Sequence, residues 1–245
     1  MKLARLGEGP EVFYSLQGEG VHQGAPSVFV RTSGCNLFCQ WCDTSYTWNW
    51  KGTPFVHRSP EKFSRAANTI ELSVKRVLDC IVRHRCQRVV LTGGEPMLQQ
   101  IDLVQLLQAL RRERPELHAE VETNGTQMPL SSFDECVDLY TVSPKLSNAG
   151  MSESLRLRPE ALAFLASSAK AVFKFVVRSA ADVDEVGVLA AQYEVAADRI
   201  YILPEADTLE QLDERVVQLS ELCLSHGYRL SDRLHLRLFG NRRGT

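Results

Sequence analysis

Ser27-Val-Phe-Val-Arg-Thr-Ser-Gly-Cys-Asn-Leu-Phe-Cys-Gln-Trp-Cys-Asp-Thr44 joins two unlike halves. Residues 27–33 are rich in β-branched and aromatic side chains and read as a strand. From Gly34 the chain turns polar and carries Cys35, Cys39 and Cys42, spaced C-x3-C-x2-C. A parallel α/β fold places its chemistry on loops that leave the C-terminal ends of its strands. The rest of the chain should then repeat strand and helix, and it does. Apolar runs at 88–92, 118–123, 137–143, 171–177, 199–203 and 234–239 read as strands. Amphipathic stretches at 69–86, 101–112, 159–168, 182–193 and 209–226 read as helices, the last closing at Gly227. The crossover before residue 137 is too short for a full helix and should be a loop or a single turn. This rhythm predicts a parallel sheet in one domain covering 1–245, with the cysteine loop at 34–44 and an aromatic, aperiodic insertion at about 45–69.

The composition agrees with that class. The 245 residues are 44% apolar and 24% charged, ordinary for a globular chain that buries its own core. Lys and Arg number 28 against 30 Asp and Glu, a net charge of −2. A protein that coats nucleic acid needs a basic footprint, so no nucleic-acid partner is expected. No apolar stretch reaches the length of a membrane span, and no signal segment opens the chain, so the expected location is the cytoplasm. In a reducing compartment the seven cysteines are not a disulfide framework. Cys80, Cys86, Cys136 and Cys223 read as packing thiols.

Three soft thiolates on one short loop select zinc or an iron–sulfur centre. Structural zinc takes four protein ligands, as does an electron-transfer cluster, and this loop offers three. A cluster held this way leaves one iron open to a substrate or cofactor. A zinc module would need donors from elsewhere in the chain. A second motif, Leu91-Thr-Gly-Gly-Glu-Pro96, stands at the end of a predicted strand. Its glycines permit close backbone approach, and its carboxylate could receive an ammonium group.

The two motifs together resemble the radical S-adenosylmethionine (radical SAM) superfamily. That resemblance implies a partial (β/α)6, TIM-like barrel with Cys35, Cys39 and Cys42 holding a [4Fe–4S] cluster. SAM would chelate the fourth iron, and its cleavage would yield a 5′-deoxyadenosyl radical. The SAM contacts implied are Trp41 beside the adenine, Asp43, the Gly93-Gly94-Glu95 turn, Ser143, Pro144 and Lys145, with Thr123 and Asn124 as further contacts.

Narrower stretches are similar to the 7-carboxy-7-deazaguanine synthases of that superfamily. They are Ser15-Leu-Gln-Gly-Glu-Gly20, the approach to Cys35, Cys42-Asp-Thr44, Glu122-Thr-Asn-Gly-Thr126 and Val142-Ser-Pro-Lys145. The similarity covers about the first 145 residues. It implies a carbon–nitrogen lyase of queuosine biosynthesis that turns 6-carboxy-5,6,7,8-tetrahydropterin into 7-carboxy-7-deazaguanine with loss of ammonia. Leu16, Gln17, Gly18 and Glu19 would hold the pterin, Arg31 would grip its carboxylate, and Thr92 would also touch it. Thr44 would offer one oxygen to Mg²⁺, too few for a site by itself. A reductant such as flavodoxin and a homodimer complete the implied partners. Two rivals remain at this level. Another radical SAM enzyme, such as a glycyl-radical-enzyme activase, keeps the cluster and changes the partner. A non-catalytic zinc or iron–sulfur protein leaves Gly93–Pro96 without a purpose.

Overall fold

A computed structural model describes all 245 residues. The chain opens with β1 (Lys2–Leu6), β2 (Gly9–Pro10), β3 (Val12–Leu16) and β4 (Pro26–Thr32). After the cysteine loop come α1 (Arg65–Asn68), β5 (Thr69–Glu71), α2 (Val74–Val82), β6 (Arg88–Gly93), α3 (Gln100–Glu113) and β7 (His118–Thr123). Next are α4 (Ser131–Asp134), β8 (Leu139–Val142), α5 (Glu153–Arg156), α6 (Pro159–Ser167), β9 (Ala171–Val177) and α7 (Ala180–Gln192). The chain closes with β10 (Ile200–Pro204), α8 (Leu209–His226), β11 (Arg229–Leu230) and α9 (Leu234–Phe239).

The sheet runs β11-β10-β9-β8-β7-β6-β4-β1-β2, and every pair from β4 to β11 is parallel. Its ends do not meet, so the barrel is partial. β3 lies antiparallel along β4, and β5 antiparallel along β1. Side chains alternate across this sheet. Val30, Leu91, Val121, Phe173 and Phe175 point into the main core beneath the helices. Their neighbours Arg31, Thr92, Glu122, Lys174 and Val176 line the concave face. A sheet buried on both sides thus carries an apolar layer outside and a polar cavity inside.

Helix ends follow local chemistry. Ser73 caps α2 through the Arg76 N–H, Thr208 caps α8 through the Gln211 N–H, and Gly227 closes α8 in the left-handed region at φ +70°. The short crossover before β8 is the single turn α4. Cys86, Cys136 and Cys223 are buried free thiols, and Cys80 is half-buried.

Three sequence readings need correction. Residues 234–239 form α9 rather than a strand. Their alternating apolar pattern suggested a strand, but only Leu236 is buried, against Ala206 and Leu212. The edge position beside β10 is taken by Arg229–Leu230. The helix read over 69–86 begins only at Val74, because Thr69–Glu71 pairs with β1. The antiparallel strands β1–β3 went unread because the first of them, with Lys2 and Arg5, breaks the apolar alternation.

Candidate active site

The cysteine loop begins where β4 ends. Gly34 leaves the strand at φ +99°, a conformation that side chains resist. The loop is pinned from several directions: Gly34 N donates to Thr47 O (2.9 Å), and Glu95 N donates to Gly34 O (2.9 Å). The Gly93-Gly94 turn at the end of β6 packs on this loop backbone to backbone. A Cβ on Gly94 would stand 2.0 Å from Gly34 O, and one on Gly93 2.3 Å from Thr32 O. These glycines therefore join the two motifs physically.

Cys35, Cys39 and Cys42 all face one cavity of about 270 Å³. Three thiols facing one cavity are one ligand short of a structural zinc site and match a cluster with one open corner. Burial pushes all three thiols up, Cys39 to about 12. Thiolates here need a bound metal to hold them deprotonated. Donors already point at the sulfurs. Leu37 N lies 3.4 Å from Cys35 Sγ, and Trp48 Nε1 lies 3.3 Å from Cys42 Sγ.

The strand ends complete the cavity. Trp41 is held by its Nε1–H donating to Asn148 Oδ1 (3.0 Å), and Lys145 Nζ stands 5.5 Å from its ring. Lys145 also donates to Ser143 Oγ at 2.9 Å. Leu16, Gln17, Gly18, Glu19, Arg31, Asp43, Thr44, Thr92, Gly93, Gly94, Thr123, Asn124 and Ser143 line the same space. Two expected residues do not. Glu95 is fully buried, and its carboxylate accepts from Met97 N (3.0 Å), Thr123 Oγ1 (2.9 Å) and Asn124 N (2.7 Å). It braces the turn instead of facing the cavity. The Pro144 ring lines a small apolar gap between α6, α7 and β9.

Charge is paired across the cavity. Glu19 accepts from Lys174 Nζ (2.6 Å) and from Arg233 Nε (3.3 Å), and Arg233 also binds Asp43. Burial alone would raise the Glu19 carboxyl, but Lys174 and Arg233 hold it well below the usual carboxylate range. Burial likewise opposes the charge on Lys174, and Glu122 and Glu19 keep it protonated. Glu122 has spare acceptor capacity: Thr92 Oγ1 donates to one oxygen (2.8 Å) and Gln17 Nε2 to the other (3.2 Å). Arg31 Nε donates to Glu11 Oε1 at 3.0 Å, and Arg31 lines the cavity.

Sequence reasoning missed Glu11, Glu122, Lys174, Arg233 and His235. Lys174 had a readable signal, a lone charge inside a buried apolar strand, and Glu122 shares its strand with Glu120. His235 had none: it sits on a helix read as a strand, and its ring packs where a Cβ of Gly18 would be. The tail from Gly240 to Thr245, left unplaced by the sequence, also lines the cavity. Arg243 anchors it, with Nη2 2.8 Å from Glu11 Oε2 and its guanidinium 3.6 Å from the Tyr46 ring centre.

The insertion wraps the cysteine loop and is strapped to the far side of the sheet. Arg58 pairs with Glu205 and Asp207 beyond β10.

Comparison with known proteins places this architecture. The profile of the Radical SAM superfamily matches residues 29–156. The chain is 40% identical to a 7-carboxy-7-deazaguanine synthase of Pyrobaculum aerophilum, over 96% of this chain and 95% of that one. It is 39% identical to one of Rhodopirellula baltica, over 96% and 87%. The match to one of Escherichia coli K12 is 31%, over 92% and 95%. The crystal structure of QueE from Escherichia coli superposes with a TM-score of 0.65 at 27% identity, covering 96% of this chain and 95% of that one.

Proposed function

We propose that this chain, which belongs to the 7-carboxy-7-deazaguanine synthase family of the radical SAM superfamily, performs that family's reaction through the cavity described above. It is a carbon–nitrogen lyase of queuosine biosynthesis. It converts 6-carboxy-5,6,7,8-tetrahydropterin to 7-carboxy-7-deazaguanine with loss of ammonia. The observation that carries the reading is one cavity lined both by the three cysteines of the loop and by Arg31, Glu122 and Lys174 of the parallel strands.

Cys35, Cys39 and Cys42 would hold a [4Fe–4S] cluster, with SAM on its open iron. When bound, the pair supplies reductive cleavage of SAM and, with it, abstraction of a hydrogen atom from the substrate. The chain's own residues do the positioning. Trp41, Asn124, Thr123, Ser143 and Lys145 form the side of the cavity suited to SAM, with the Gly93-Gly94 backbone beneath. Glu95 serves SAM indirectly, by fixing Asn124 and Thr123, and Pro144 by fixing the strand end that carries Ser143. Asp43 acts through Arg233.

The pterin takes the other side. Arg31 grips the substrate carboxylate with a bidentate fork. Glu122 receives the guanidine-like edge of the ring, because Glu19 already has both oxygens in ion pairs. Gln17 and Thr92 orient Glu122, while Leu16 and Gly18 bound the ring. For Mg²⁺ the chain offers the Thr44 hydroxyl, and Asp43 is engaged by Arg233. These residues alone do not make a magnesium site, so the ion would bind only together with the substrate carboxylate and water.

We read residues 1–245 as one radical SAM domain, working as a homodimer in the cytoplasm with a reductant such as flavodoxin. No helix is long and apolar enough to cross a membrane. The test is anaerobic reconstitution followed by incubation with SAM, Mg²⁺, reductant and 6-carboxytetrahydropterin. The expected result is four irons per chain and formation of deazaguanine product. Full iron and SAM cleavage without product would overturn the substrate assignment.

A further inference from the structure

The insertion reaches the cluster loop's sulfurs through one side chain. Trp48 is 3% exposed, and its indole N–H donates to Cys42 Sγ at 3.3 Å. An indole N–H can only donate, and a buried one needs an acceptor. Here the acceptor is a sulfur that the site needs as a metal ligand. The ring is held rigidly. Phe55 and His57 meet it edge to face, each 6.0 Å away. Phe55 in turn stacks on Phe38 of the cysteine loop at 4.6 Å, and His57 Nε2 lies 2.9 Å from Cys42 O. The aromatic residues that made the insertion look aperiodic thus form a brace that aims one donor at one thiolate.

We propose that Trp48 is a positioning residue that raises the reduction potential of the centre bound by Cys35, Cys39 and Cys42. Its N–H draws negative charge from the Cys42 thiolate and so favours the more negative, reduced state. Hydrogen bonds to ligand sulfurs and exclusion of solvent are two of the protein's means of setting such potentials, and Trp48 supplies both. Reduction takes one electron from an external low-potential carrier, and Trp48 keeps its proton throughout. The inference rests on the cluster reading given under Proposed function.

The experiment compares wild type with Trp48→Phe, which keeps an aromatic ring in the brace and removes the donor. Both are reconstituted anaerobically, iron is counted, and the one-electron midpoint is measured by an EPR-monitored titration without SAM. With full iron in both, the midpoint of Trp48→Phe should fall. About tenfold less reduced cluster at a fixed potential corresponds to a fall of ~59 mV for one electron. An unchanged midpoint at full iron content overturns the proposal. Absence of iron from wild type overturns the cluster reading instead. If Trp48→Phe fails to load iron, wild type carrying [15N-indole]tryptophan decides. Magnetic coupling between the reduced cluster and an indole nitrogen that persists when Trp41→Phe carries the same label supports the proposal, and its absence overturns it.

Discussion

At the scale of single residues, the division between Glu19 and Glu122 decides which carboxylate can meet a ligand. Both stand in the same cavity, yet Lys174 and Arg233 occupy both oxygens of Glu19, while Glu122 has two neutral donors and a longer ion pair, 3.9 Å, to Lys174. The sequence made Glu19 a candidate because of its motif. It could not reveal the pairing, since Lys174 and Arg233 lie more than 150 positions away in the chain. Arg31 was legible for a simpler reason: a charge inside an apolar strand that runs straight into the cysteine loop has no neutral place to go. Lys in its place would keep the charge and lose the planar fork. Arg31→Lys should raise the KM for the pterin by about tenfold or more, the worth of one hydrogen bond to a charged group. Iron content should stay unchanged. Steady-state kinetics beside an iron assay checks both, and unaltered kinetics would remove Arg31 from the substrate side.

At the scale of elements, the parallel strands and their helices were readable because each satisfies its own local rules. β4, β6, β7, β9 and β10 appear within a residue or two of their expected bounds, and α8 matches from cap to Gly227. Residues 234–239 were misread because a two-residue alternation fits a strand as well as a short helix. What settles the matter is an edge position already filled by β11. The glycine turn after β6 makes a sharper case. Its residue types promised close approach, and the partner is the cysteine loop's own backbone. Gly94→Ala would drive a Cβ to 2.0 Å from Gly34 O, a clash with backbone that has no flexible end to yield. The cysteine loop should shift, so Gly94→Ala should bind well under four irons per chain. Its circular dichroism should stay close to that of wild type, because the main apolar core lies on the other face of the sheet. Full iron loading would show that the two loops tolerate separation.

At the scale of the whole molecule, one ion-pair network ties distant parts of the chain. Glu19 precedes the first parallel strand, Lys174 lies on the fifth and Arg233 enters the last helix. Because the folded carboxyl of Glu19 titrates well below its ordinary 4.5, it adds stability that is complete above that pH. The contribution is lost as pH falls further and the unfolded chain takes up the proton first. Wild type should therefore lose stability more steeply below about pH 4.5 than Glu19→Gln does. Urea unfolding at a series of pH values measures this, and equal slopes would deny Glu19 its low folded pKa.

The sequence by itself determined the parallel α/β class, the cysteine loop and the glycine turn, and with them the superfamily. These features are local: periodicity, caps and ligand spacing are written over a few residues each. Only the tertiary structure decided that Glu19 is closely paired with two cations while Glu122 keeps the longer pair to Lys174, and that Glu95 braces a turn. It also brought the tail, Arg233 and His235 to the cavity, and it turned Trp48 of the insertion toward Cys42. Each of these depends on side chains far apart in sequence meeting across a curved sheet. Neither pairing nor burial at such range has a local signature, because both are set by the packing of the entire chain.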